Sequence, residues 1–304
     1  MSCSERLGAR RHVTIPQGRI ELRERGPQDG IPLVFVHGGL ANGDLWRDVV
    51  PPLAQTGRYR CITPDWPLGS HAEPLHPGAD VTPPGQAEIV VAVLDALGLD
   101  RAVLVANDAG GAISQLVLAR HPDRVDRVVL TSCDNHRAFP PRYLKPVRWL
   151  TLVPGLAHPI ARLFGWGPVR RAFFWSVASR PLPPEIVSSS LDPMRRSRAV
   201  RDELVRFFRD VRPAHTMGAL PGLRRFPRPA LVVWGGQDWW FSRRGGRRLA
   251  ATLPDARFLV LDGVRTFVPE DAPAELARLV DAFLQETAPG PDASAARPAV
   301  AAAR

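Results

Sequence analysis

The chain has 304 residues, 45% of them hydrophobic and 23% charged, enough to bury a full core as one domain with an insertion. The formal charge of +10 argues little for nucleic acid: the basic residues are spread along the chain, Lys145 is the only lysine, and no aromatic-interleaved basic motif accompanies them. No apolar run approaches the roughly 18 residues of a membrane span, and Cys3, Cys61 and Cys133 are too scattered for a disulfide framework or a zinc site.

In chain order, HVTIP and RIELRER read as an opening hairpin, and PLVFVH as a short buried strand ending in the turn His37-Gly38-Gly39. DLWRDVVPPLA has helical spacing, RCITPD is a strand, and a long loop leads to the helix around AEIVVAVLDALGL. Then come RAVLVA as a strand, GGAISQLVLARH as a helix and DRVVLTS as a strand. This βαβαβ order predicts a mostly parallel sheet covered by helices on both faces. From Asp134 to Leu220 the alternation breaks into proline-, tryptophan- and arginine-rich text with short helical segments such as PVRRAFFWSVA and VRDELVRFFRDV. PALVVWG, a helix near RRGGRRLAATL, RFLVLD and the helix PAELARLVDAFLQ resume the pattern. The expected division is a core over 10–133 and 221–286, a helical cap over 134–220, and a disordered Ala/Pro-rich tail over 287–304.

The stretch LVANDAGGAI is read as a strand that turns sharply into a helix at Asp108. A side chain on such a turn needs small neighbours, and Ala106, Ala109, Gly110 and Gly111 are small. Helix N–H groups and the positive end of the dipole would face the carboxylate. A plain helix cap is the alternative reading of the same residues. Backbone N–H groups of Gly39 and Ala109 are the expected oxyanion donors.

With HGGL after the third strand, the elbow Ala106-Asn107-Asp108-Ala109-Gly110, an aspartate after LVVWGGQ and GVRTFVPEDAP near the end, the chain resembles an α/β-hydrolase over roughly residues 10 to 286. An eight-stranded sheet with a cap after the sixth strand is implied. An aspartate at the elbow is similar to the epoxide hydrolase and haloalkane dehalogenase branch, and the resemblance implies a nucleophilic Asp108 and no cofactor or metal. For the triad acid it offers Asp238, after the seventh strand, or Asp134, after the sixth.

The base departs from that pattern. The family's histidine belongs in a GxxHF-like turn, where this chain has Thr266, and threonine cannot exchange a proton near neutral pH. None of the eight histidines follows the last strand; His71, in a loop at the C-terminal edge of the sheet, is the first substitute and His215 a second. The tryptophan that a dehalogenase of this type has after the aspartate is Ala109 here, and the two tyrosines, Tyr59 and Tyr143, do not make an epoxide hydrolase's cap pair.

Three readings stay open: a hydrolase acting on a small apolar substrate (epoxide, alkyl halide or ester-like) under cap tryptophans Trp149, Trp166 and Trp175; a lyase, isomerase or cyclase in which Asp108 moves a proton; and a binding protein that lost catalysis. The start MSCSERLGARR lacks a secretory apolar stretch, so a cytoplasmic monomer or homodimer with a small-molecule substrate and no nucleic-acid or membrane partner is expected.

Overall fold

The computed structural model describes residues 3–153, 159 and 163–288. Its eight strands form one sheet in the order β1-β2-β4-β3-β5-β6-β7-β8. The hairpin of β1 (Arg10–Ile15) and β2 (Gly18–Arg25) is antiparallel, and β2 also runs antiparallel to β4 (Tyr59–Pro64). The others are parallel to their neighbours: β3 (Ile31–Val36), β5 (Ala102–Asp108), β6 (Val125–Cys133), β7 (Ala230–Gly235) and β8 (Ala256–Leu261).

The central strands are near-continuous apolar runs because both of their faces are covered. Along β5, Ala102, Leu104 and Ala106 enter one core cluster while Val103 enters the other, as the two-residue period of a strand requires. On the first face lie α3 (Pro83–Ala96), α4 (Ala109–Arg120) and α10 (Arg243–Ala250). On the second lie α1 (Cys3–Leu7), α2 (Val50–Gln55) and α11 (Pro273–Glu286). Each fully buried Val, Leu or Phe in these clusters contributes about 2 kcal/mol by removal from water.

Two boundaries differ from the sequence expectation. The helix expected across DLWRDVVPPLA divides into a 3₁₀ turn at Gly43–Trp46 and the short α2. Pro51 and Pro52 have no N–H to donate, so they fit only the first turn of a helix, and a new one starts there. The expected cap also runs too far. Helices α5 (Lys145–Leu152), α6 (Gly167–Val177), α7 (Pro184–Arg196) and α8 (Arg198–Asp210) follow β6, with α5, α6 and α8 supplying residues over the sheet edge. But α9 (Pro213–Leu223) packs on α4 and sends Ala219, Leu220 and Leu223 into the core. Gly222 permits that approach: a Cβ there would lie 2.6 Å from the Ala119 Cα. The expected tail, from residue 289 on, lies outside the described residues.

The chain runs from β3 to β4 on one side and returns to β5 on the other. The C-terminal ends of β3 and β5 therefore flank a topological switch point, where open α/β sheets leave a crevice.

Candidate active site

At that crevice β5 ends on Asp108, with φ 54° and ψ −131°, and α4 starts at the next residue. Few non-glycine residues hold a positive φ, and here the surrounding contacts impose it. A Cβ on Gly110 would lie 2.3 Å from the Val36 carbonyl oxygen, and one on Gly38 would lie 2.0 Å from Asp108 Oδ2. Glycine at both positions lets the β3 turn and the elbow close on each other.

The result is a held carboxylate. The Gly39 N–H donates to Asp108 Oδ2 at 3.1 Å, and the Ala109 N–H also bonds the side chain. Burial pushes the Asp108 pKa up to about 6; the two N–H groups oppose the rise, and the nearby charge of Asp238 adds to it. His37 braces the turn that carries Gly39. Its Nδ1–H bonds the Gly38 carbonyl at 2.9 Å and its Nε2 accepts from the Trp66 N–H at 2.8 Å. Burial lowers its pKa to about 3, so this ring is a neutral strut.

Thr266 is fully buried and donates from Oγ1 to Asp238 Oδ1 at 2.7 Å. The same oxygen accepts from the N–H groups of Trp240 and Phe241, at 2.8 and 3.0 Å. The turn carrying Thr266 is tied to the elbow by Asn107, whose Nδ2 donates to the Thr266 carbonyl at 2.8 Å. Asp238 is thus brought up to the elbow, and its pKa is raised by burial against these hydrogen bonds.

Asp134 follows β6 and lines the cavity beside Asp108. Burial lifts its pKa well above the ordinary carboxyl value, and the charges of Asp108 and Asp238 lift it further. Its Oδ1 is buried without a hydrogen-bond partner. Among the described residues no cluster of His, Cys, Asp or Glu has the arrangement of a metal site. Asp108, Asp134 and Asp238 thus form one group of interacting carboxyls at the site, in which proton uptake by one eases the charge on the others.

Above Asp108 lies a cavity of about 140 Å³, walled almost entirely by apolar groups. Its aromatic wall includes Phe139, Phe164, Phe173, Phe207, Phe208 and Trp240, with Phe267. This corrects the expectation for the cap tryptophans: Trp149, Trp166 and Trp175 are 69%, 63% and 53% exposed and point away from this cavity. On α6 the residues that face inward are Phe173 and Val177, one turn apart, so the adjacent Trp175 must face outward.

His71 is corrected as well. It is buried and does not line the cavity; its Nε2 meets Glu203 Oε2 at 2.7 Å, and Glu203 Oε1 accepts the Leu75 N–H at 2.9 Å. It fastens a core loop to α8. His215, the second substitute, bonds Asp210 through Nε2 at 2.9 Å, also away from the cavity. Among the described residues no histidine lines the cavity. Sequence reasoning passed over Glu203, 132 positions from its partner, and Asn107, whose only signal was a polar side chain just before the elbow residue.

A family model described as the alpha/beta hydrolase fold matches residues 31–162. A cis-3-alkyl-4-alkyloxetan-2-one decarboxylase of Xanthomonas campestris is 28% identical over 281 residues, covering 86% of this chain and 91% of the relative. A haloalkane dehalogenase 2 of Mycobacterium bovis is 28% identical over 284 residues, covering 87% and 91%. Among solved structures, the haloalkane dehalogenase DbeA of Bradyrhizobium elkani superposes with a TM-score of 0.77 at 22% identity, over 92% of this chain and 98% of that one.

Proposed function

We propose that this chain, of the α/β-hydrolase fold and similar to a haloalkane dehalogenase, is an enzyme in which the Asp108 carboxylate is the nucleophile toward a small, apolar electrophile. The observation that carries this reading is the Asp108 carboxylate itself, gripped by the Gly39 N–H on a strained elbow beside an apolar cavity. A carboxylate in such a place is poorly solvated and already oriented, which favours attack on carbon.

The chemistry follows from the groups present. An Asp108 oxygen forms a bond to the electrophilic carbon while the bond from that carbon to its leaving group breaks, giving an alkyl ester. Where the leaving atom is the oxygen of a strained ring, Asp134 at the cavity wall, whose burial favours its protonated form, can supply its proton. The cavity wall is almost entirely apolar, a setting in which these interactions are stronger than in water.

Thr266 favours a particular release step. Hydrolysis of the ester calls for a base to activate water, and Thr266 fills the base's place with a hydroxyl already committed to Asp238. An oxetan-2-one, the ring named in one relative, needs no such water. Attack of Asp108 on the saturated ring carbon bonded to the ring oxygen opens that C–O bond and frees a carboxylate. Loss of CO2 then leaves its electron pair to form a C=C bond, which expels Asp108 unchanged. Lactone becomes alkene and CO2 with no proton gained or lost.

The test is product analysis with a cis-3,4-dialkyloxetan-2-one. Wild-type enzyme should give alkene and CO2, and Asp108→Asn neither. A 3-hydroxy acid as the sole product would show that water releases the ester after all. Undiminished consumption by Asp108→Asn would refute the nucleophilic role.

A further inference from the structure

The lid carries a second pattern that catalysis does not use. Residues 135–184 contain no aspartate or glutamate in fifty positions, while holding seven arginines, one lysine and three tryptophans. Among the described residues of this stretch, the groups turned to the cavity differ from those left open to solvent. The inner side of α5 and α6, with Leu144 just before α5, supplies Leu144, Thr151, Phe173 and Val177 to the cavity. The outer side exposes Trp149, Leu152, Trp166 and Trp175, with Leu150 and Val153 also open to solvent. Trp239, from the loop after β7, extends this side: it is 52% exposed and its ring lies 4.8 Å from that of Trp175. The Arg265 guanidinium sits over both rings, at 4.5 and 5.2 Å.

Among the described residues Arg142, Lys145, Arg170, Arg171 and Arg180 enter no ion pair, whereas arginines of α7 and α8 pair with Asp192 and Asp202 on their own helices. Apolar area left open to water on this scale marks a contact surface.

We propose that the outer side of the lid docks on an anionic lipid bilayer. Tryptophan is the side chain that sits best at a bilayer interface, and short helices with basic and apolar groups lie in that plane. Each basic residue near an anionic surface adds about 1 kcal/mol of attraction. A stretch without acidic residues avoids the repulsion such a surface would impose. Nucleic acid matches the charge but gives Leu150, Leu152 and Val153 nothing to bury against. No helix among the described residues is long and apolar enough to cross a membrane, so the contact is peripheral. It departs from the expectation of no membrane partner, and it concerns adsorption, independent of the reaction at Asp108.

The experiment is vesicle flotation of the full-length protein, on phosphatidylcholine alone and on phosphatidylcholine with about a third phosphatidylglycerol. Association with the anionic vesicles only is expected. The double substitution Trp149→Ser, Trp166→Ser and the charge reversal Arg170→Glu, Arg171→Glu should each weaken it at least tenfold, with unchanged circular dichroism and melting temperature. Asp108→Asn should bind like wild type. Failure to float with anionic vesicles would overturn the proposal. So would tryptophan variants that float as well as wild type, or tighter binding of a short DNA duplex through the same arginines, which would make the surface a general polyanion site.

Discussion

Replacing Asp108 with asparagine should make the protein more stable, and only at a pH where the wild-type carboxylate is charged. Burial raises the Asp108 pKa from 3.8 to about 6, so the folded protein binds this proton more tightly than the unfolded chain. The stability linked to it is full below the unfolded value and is lost as pH rises through about 6. The difference corresponds to about 3 kcal/mol at 1.36 kcal/mol per pH unit. The substituted amide does not titrate and can still accept from the Gly39 N–H through its oxygen. The assay is thermal or urea unfolding of both proteins at pH 4 and pH 8. At pH 8 the variant should melt higher by roughly 6 °C, from about 2 °C per kcal/mol for a chain of this size, and at pH 4 the gap should close. A variant less stable than wild type at pH 8, or an advantage independent of pH, would show that Asp108 is a structural cap and that its carboxylate is not held at a cost.

Alkylation of the protein by an alkyl halide should slow tenfold per pH unit below about 6, because in the proposed reaction only ionised Asp108 attacks; a flat profile from pH 5 to 8 would break the link to this carboxyl. Thr266→His should place an imidazole beside Asp238 and convert a stalled haloalkane adduct into repeated turnover; a variant whose adduct is as long-lived as the parent's would show that the base alone was not missing. Phe208→Ala should open the cavity, weakening short substrates by roughly tenfold while admitting longer chains, from about 0.8 kcal/mol per lost methylene contact. Trp175→Ala should change KM less than twofold because its ring faces outward, and equal shifts from both variants would mean the cavity wall is misassigned. Glu203→Ala should cost about 3 kcal/mol in unfolding experiments by stranding buried His71, and a neutral result would remove the lid anchor.

How much of this was legible in the sequence depended on how local each constraint is. The elbow was legible because close approach forces small residues into consecutive positions, Ala109 through Gly111, and no simpler constraint asks for them together. The Thr266 position was legible because it lies at a fixed place in the turn after the last strand, and the structure does bring it to Asp238. The pocket wall was not. Phe173, Phe174 and Trp175 are consecutive and span about 200° of a helix, so composition alone cannot say which faces the substrate. The end of the lid was equally hidden, since α9 looks like any short apolar helix until Gly222 is seen against Ala119. His71 sat in the expected loop, but its partner comes from a helix far along the chain, and that partner removes it from the chemistry. The upward shift of Asp134 arises from its burial and its proximity to two other carboxyl groups, which only the folded chain displays.

The measurement that bears most directly on the whole account is peptide mapping by mass spectrometry after incubation at pH 8 with a small 1-bromoalkane. The account predicts one added alkyl group, located on Asp108, persisting because no base is in place to clear it, and absent from Asp108→Asn. An unmodified Asp108 at full substrate exposure, or an alkyl group found on another residue and retained in Asp108→Asn, would contradict it.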